Sequence, residues 1–247
     1  MRIVVLGAAL LVVLAACSSG IDSSGPAGAG AKPAGPETLG PDGLRGLTLG
    51  VTKASTGAKL AAQPMSGLDG CLSYAFAGGP APDPTALEAE QVAVAKADDL
   101  NHKAQDADSK ILDPGLRGTA EDYAKSAAES AAAAKLSAQA ASAITAVAEL
   151  REARAAELAA TGGAVFLGDK LRAIVAPPQV KTPEGVGAGT PLAEVHRRYD
   201  AKGLKPTPAG HFAVPVPGHP GWAYDFTAEG PEVTFVALVD PALECRA

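Results

Sequence analysis

Residues 182–199, TPEGVGAGTPLAEVHRRY, constrain the fold more than any other stretch, because their pattern recurs near the start of the chain. Pro183-Glu184-Gly185-Val186 reads as a turn. Thr190-Pro191 reads as a helix N-cap followed by the first helical position, where the missing proline N–H costs nothing. Leu192, Val195 and Tyr199 follow at helical spacing, giving a short amphipathic helix able to cover a sheet. Pro41-Asp42-Gly43-Leu44 echoes the turn, and Gly50-Val51-Thr52 echoes Gly189-Thr190-Pro191. Two further echoes keep the same order. Gly70-Cys71-Leu72-Ser73-Tyr74-Ala75-Phe76 answers Gly221-Trp222-Ala223-Tyr224-Asp225-Phe226, and Gly168-Asp169-Lys170-Leu171 with Ile174 answers Gly230-Pro231-Glu232-Val233 with Val236. Those last motifs lie about 4 residues apart in the second copy (226 to 230) and about 92 apart in the first (76 to 168), so a segment has been spliced into one hairpin of the first copy.

The expected fold class is therefore α+β: two tandem helix-plus-antiparallel-sheet modules, the first interrupted by a long Ala-rich antiparallel helical hairpin. The expected boundaries are 41–80 with 164–180 for the first module, 81–163 for the insert and 181–247 for the second module. In the first module Thr52 caps a helix through about Ala62; Leu72, Tyr74 and Phe76 alternate as a strand; 165–175 folds back through Gly168-Asp169. In the second, Phe212, Val214 and Val216 share one face, with prolines at edge-strand spacing, and Trp222, Tyr224 and Phe226 share a face of the next strand. Residues 233–239 complete a meander. The aromatic row is either the core face beneath the helix or, if solvent-facing, a binding surface made of Trp222, Tyr224 and Phe226.

From Pro84 the chain turns Ala-rich and nearly Gly-free. Asp83-Pro84 and the box Thr85-Ala86-Leu87-Glu88 start one helix, Asp113-Pro114-Gly115 interrupts it, Thr119-Ala120-Glu121-Asp122 starts a second, and Gly162-Gly163 ends it. Apolar and small residues recur every three or four positions. The first stripe runs through Ala86, Ala89, Ala93, Ala97, Leu100, Ala104, Ala107 and Ile111. The second runs through Tyr123, Ala127, Ala133, Leu136, Ala140, Ala143, Val147, Leu150 and Leu158. Small seam residues let two antiparallel helices approach closely. Asp99–Lys103, Asp106–Lys110 and Glu121–Lys125 are the expected exposed pairs. The helices are unequal, ~40 and ~63 Å long, so the surplus must lie back on the modules, break or meet another chain. The hairpin is a docking arm, a spacer or a tolerated insertion.

The start of the chain speaks to location. Met1-Arg2 supplies a positive charge, 3–14 an unbroken apolar run of ~21 Å as a helix, too short for a ~30 Å hydrocarbon core. Leu14-Ala15-Ala16-Cys17 resembles the lipobox of bacterial lipoproteins. That resemblance implies a signal peptide over 1–16, removed by cleavage, and a diacylglyceryl group on Cys17, whose two acyl chains anchor stably. Residues 17–40 then read as a Ser/Gly/Ala/Pro tether. The expected location is the outer, extracytoplasmic face of the cell membrane. With Cys17 lipidated, Cys71 and Cys245 remain as an even pair, read as a disulfide in an oxidising compartment, since no second Cys or His lies at metal-ligand spacing.

Without Arg2 the chain carries 20 basic and 27 acidic groups, a formal charge of about −7, which repels phosphate backbones and argues against nucleic-acid binding. Its histidines, His102, His196, His211 and His219, are scattered, and no zinc, P-loop, dinucleotide or nucleophile-elbow motif occurs. No metal, cofactor or catalysis is expected. The tandem units with their Gly-x-Thr/Pro helix starts, over about 40–78 and 164–247, look like the β-lactamase-inhibitor-protein class and the small outer-membrane assembly lipoproteins of the SmpA/OmlA type. The run PEGVGAGTPLAEV also resembles lipoproteins of actinobacteria, the high-GC Gram-positive bacteria. These resemblances imply a binding protein. The expected function is a lipid-anchored binding or scaffold module for another envelope protein; the alternative is an inhibitor of a secreted or envelope enzyme, and less favoured is an envelope hydrolase.

Overall fold

A computed structural model describes residues 37–67, 70–240 and 245. The fold is α+β, built on one seven-stranded antiparallel sheet in the order β1-β2-β3-β7-β6-β5-β4. The strands are β1 (Cys71–Ala75), β2 (Gly163–Leu167), β3 (Lys170–Val175), β4 (Lys205–Pro206), β5 (Phe212–Pro215), β6 (Ala223–Glu229) and β7 (Glu232–Val239). Among the described residues three α-helices accompany them: α1 (Pro84–Ser109), α2 (Ala120–Thr161) and α3 (Leu192–Tyr199).

The sheet is two copies of one motif, and the hydrogen-bond register shows it residue by residue. In the β2–β3 hairpin Leu167 pairs with Lys170 and Phe166 with Leu171, then an extra residue, Arg172, intervenes before Val165 meets Ala173. In the β6–β7 hairpin Glu229 pairs with Glu232 and Ala228 with Val233, then Thr234 intervenes before Thr227 meets Phe235. Each turn is entered by a glycine at φ 61°, Gly168 and Gly230, a conformation that disfavours any side chain. The segments entering each helix dock alike. Gly50 N–H bonds Leu171 O and Leu171 N–H bonds Val51 O, just as Gly189 N–H bonds Val233 O and Val233 N–H bonds Thr190 O. Thr52 bridges Lys170 as Pro191 bridges Glu232.

These correspondences send Val175 onto Ala237, and those two residues are paired with each other at the β3–β7 junction. An approximate twofold axis therefore runs through that pair. Ile174 pairs with Leu238 on one side of it, and Ala176 N–H bonds Val236 O on the other.

The register corrects one of the sequence echoes. β1 pairs with β2 through Tyr74–Ala164, and β5 pairs with β6 through Phe212–Phe226, so β1 stands where β5 stands in the second half, not where β6 does. The long insert therefore occupies the β1–β2 connection, whose counterpart is the short turn around Gly218 between β5 and β6.

Alternation sorts the side chains. Tyr74, Phe166, Leu171, Ile174, Val214, Tyr224, Phe226, Val233, Val236 and Leu238 fill one face beneath Val195 and Tyr199 of α3 and the loop residues Leu39, Leu47, Val180 and Val186. On the other face a smaller cluster, Cys71, Val165 and Ala173, packs against Leu158 and Cys245. The two sheet edges differ. Segment 60–66 bridges β1 at Leu60–Phe76 and Ser66–Ser73, and Pro206 blunts β4.

The helices differ in detail from the sequence expectation. The first-module helix is a 3₁₀ turn, Lys53–Lys59, broken at Gly57. α3 starts at Leu192 with Pro191 as its N-cap, one residue later than expected. α1 is capped by Asp83, whose carboxylate accepts from Thr85 N–H, so Thr85 lies inside the helix. α2 carries the expected Thr119/Asp122 capping box.

Candidate functional site

The aromatic row is mostly core. Phe226 and Tyr224 are buried, Phe226 lies 5.1 Å from the Tyr199 ring, and only Trp222 keeps part of its surface. As a binding surface, Tyr224 and Phe226 are thus excluded. Tyr224 and Phe226 share the face beneath α3, whereas Trp222, just before β6, is only half-buried. Trp222, near the end of the row, stacks on His219 with ring centroids 4.3 Å apart, and His219 Nε2 lies 3.1 Å from Asp42 Oδ1.

The histidines stay apart. His196 is paired with Asp200, His211 with Asp225 and His219 with Asp42, while His102 sits exposed on α1. Among the described residues no group of three or more His, Cys, Asp or Glu is placed to hold a metal ion.

Among the described residues two buried polar clusters stand out, and both are internally matched. At the foot of the hairpin, Glu90 is 1 % exposed and accepts from Arg154 Nε (2.5 Å), Ser66 Oγ (3.1 Å) and Gly67 N–H (3.3 Å). Arg154 also donates to Glu157. Sequence reading missed Glu90, although it is the one carboxylate on the stripe of α1 that faces α2. Beneath α3, the Tyr199 hydroxyl donates to Glu184 Oε2 (2.6 Å), lies 2.7 Å from Thr182 Oγ1, and Lys202 caps the same carboxylate. Burial alone would raise the Glu184 pKa, but the Lys202 and Tyr199 hydrogen bonds outweigh it and lower it.

Cys71 and Cys245 lie at disulfide distance, their Sγ atoms 2.00 Å and their Cα atoms 5.5 Å apart. The pair sits beside the foot of the hairpin, in a small cleft it shares with Arg154, Ala155, Leu158 and Val165. Cys17 and the whole leader lie outside the described residues.

The two helices of the hairpin pack along an Ala-rich seam. The deepest positions repeat every seven residues, Glu90, Ala97 and Ala104 on α1 and Ala133, Ala140 and Val147 on α2, the spacing of a left-handed supercoil. Ala89 falls outside the seam, and before Ala133 the α2 seam runs through Ser126 and Glu129 instead of Tyr123 and Ala127. Asp99–Lys103 and Asp106–Lys110 pair as expected, whereas Lys125 turns to Glu129 and not to Glu121.

The surplus length of α2 lies at the distal end, where the connection 110–118 runs back along it. Leu112 N–H reaches Glu129, Asp113 accepts from Gly115 N–H, and the Tyr123 hydroxyl donates to Gly115 O at 2.6 Å. This braced loop presents large apolar groups to solvent: Leu116 is fully exposed, and Leu112 and Tyr123 are at least half exposed. A groove of about 470 Å³ runs along the hairpin behind the tip, lined by Ala93, Leu100, Ala143 and Ala146 together with Lys96, Gln139 and Ser142.

No family model, curated protein or solved structure matches the chain.

Proposed function

We propose that the protein is a lipid-anchored, extracytoplasmic binding or scaffold protein whose helical hairpin is its docking arm. The observation that carries this reading is the braced tip with Leu112, Leu116 and Tyr123 in solvent. Exposed leucines on a loop held by its own hydrogen bonds are a preformed apolar contact, which loses little entropy on binding. The buried polar clusters have their partners inside the fold, so they fit a structural role. The lipobox-like Leu14-Ala15-Ala16-Cys17 motif supports an anchor at Cys17. Among the described residues no helix is long and apolar enough to cross a membrane, which leaves anchoring to that segment in this reading.

The alternative, an inhibitor acting through its sheet, needs the aromatic row in solvent, and the burial of Tyr224 and Phe226 counts against it.

A photo-crosslinker placed at Leu116 in membrane-bound protein tests the arm. The expected result is one dominant adduct that disappears when Leu112 and Tyr123 are both changed to Ser in a protein with unchanged helix content. Adducts that persist in that variant, or partner capture that survives removal of 84–161, would overturn the docking role. Cys17→Ser, with membrane and soluble fractions compared, tests the anchor separately.

A further inference from the structure

The outer face of the sheet carries a second apolar surface, far along the chain from the hairpin. Phe212, Val214, Tyr224 and Phe226 turn into the core, so Ala213, Pro215 and Ala223 turn out, and all three have small or flat side chains. With Gly203, Lys205 and Trp222 they line a cleft of about 380 Å³, within the ~300–1,000 Å³ range of small-molecule sites. Cross-strand pairing continues this band from Pro215 through Ala223, Val239 and Ala173 to Val165. At its Val165 end Leu158 and Cys245 cover it; at the Trp222 end no described element does.

Lys205 is the one charged residue of the lining, and it has no hydrogen-bond or ion-pair partner among the described residues. The nearest acid along its row is Asp225, across Ala213, and His211 Nδ1 already lies 3.1 Å from that carboxylate. We propose that this cleft binds an apolar carboxylate, with an acyl chain over Ala213, Pro215 and Ala223 against Trp222 and its carboxylate on Lys205. An acyl chain suits these walls better than a peptide. The lining side chains offer no polar group besides Lys205 and the Trp222 indole, so peptide amides laid there would lose their hydrogen bonds to water without replacement.

Trp222 is the sole tryptophan of the chain, so its emission reports the cleft directly. The full chain in phosphatidylcholine vesicles is titrated with octanoate, octanol, octylammonium and N-acetyl-leucine. A saturable change with octanoate is expected, with octanol and octylammonium at least about five-fold weaker, the scale of one exposed ion pair. Lys205→Gln should weaken octanoate by about five-fold and leave octanol unchanged; Ala213→Leu, which fills the cleft, should abolish both. No saturable change, equal binding of octylammonium, or binding indifferent to both variants would overturn the proposal. Tighter binding of N-acetyl-leucine would also overturn it, in favour of a peptide C-terminus.

Discussion

Tyr199 and Tyr224 share one core, yet their hydroxyls are treated differently. Tyr199 is matched by Glu184 and Thr182, whereas the buried Tyr224 hydroxyl has no hydrogen-bond partner among the described residues. Tyr199→Phe should cost ~1–3 kcal/mol, because it removes a hydrogen bond to a charged acceptor, Glu184, while Tyr224→Phe should be neutral or slightly stabilising; urea unfolding of both variants checks the contrast. The same burial shapes the response to base. Burial pushes Tyr224 from its ordinary 10.0 up to about 12, and burial together with donation to Glu184 raises Tyr199 further. Raised pKa values contribute stability that is present below pH 10 and lost as pH rises through the folded values, because the unfolded chain gives up its protons first. The unfolding midpoint should fall from pH 10 upward, and phenolate absorbance should rise with unfolding. At the acid end, hydrogen bonds from Arg197 and Arg198 hold Glu194 at about 2, below its ordinary 4.5. Its contribution is present above pH 4.5 and fades as pH drops toward 2.

Among the elements, the hairpin depends on its foot. Glu90→Ala removes one partner of a buried pair and should cost ~3–5 kcal/mol, with hydrogen exchange quickening first in the opening turns of α1; unchanged stability would mean that Glu90 does not brace the arm. Both helices were legible in the sequence because caps, Gly stops and three-to-four spacing all agreed, and the β2–β3 and β6–β7 hairpins because Gly168 and Gly230 mark equivalent turns. The assignment of β1 was not. Leu72, Tyr74 and Phe76 alternate just as Trp222, Tyr224 and Phe226 do, and alternation names a face without naming a neighbour. Only the pairing Tyr74–Ala164 against Phe212–Phe226 separates them. The tip was hidden for a related reason: Leu112 and Leu116 belong to no periodic stripe, and their exposure follows from a loop braced by Asp113 and Tyr123. Glu90 escaped notice because a carboxylate in an apolar stripe reads as a surface residue until Arg154, 64 positions later, comes to meet it.

At the scale of the molecule, Cys71–Cys245 ties an outer strand of the first half to the end of the chain across a separation of 174 residues. In the chain-entropy model a loop of that size contributes ~5 kcal/mol. Cys71→Ala, or reduction of the wild type, should lower the thermal midpoint by several degrees and leave the far-ultraviolet spectrum native at room temperature; an unchanged midpoint would deny the crosslink. The twofold arrangement also dictates when folding is able to finish. β3 has β2 on one edge, but its other edge finds its partner in β7, the last strand among the described residues. On an emerging nascent chain, the first half, hairpin included, must wait with one edge of β3 unmatched until Glu232–Val239 has been made. A truncation before Glu232 should therefore leave a sticky, chaperone-dependent intermediate instead of a smaller stable protein.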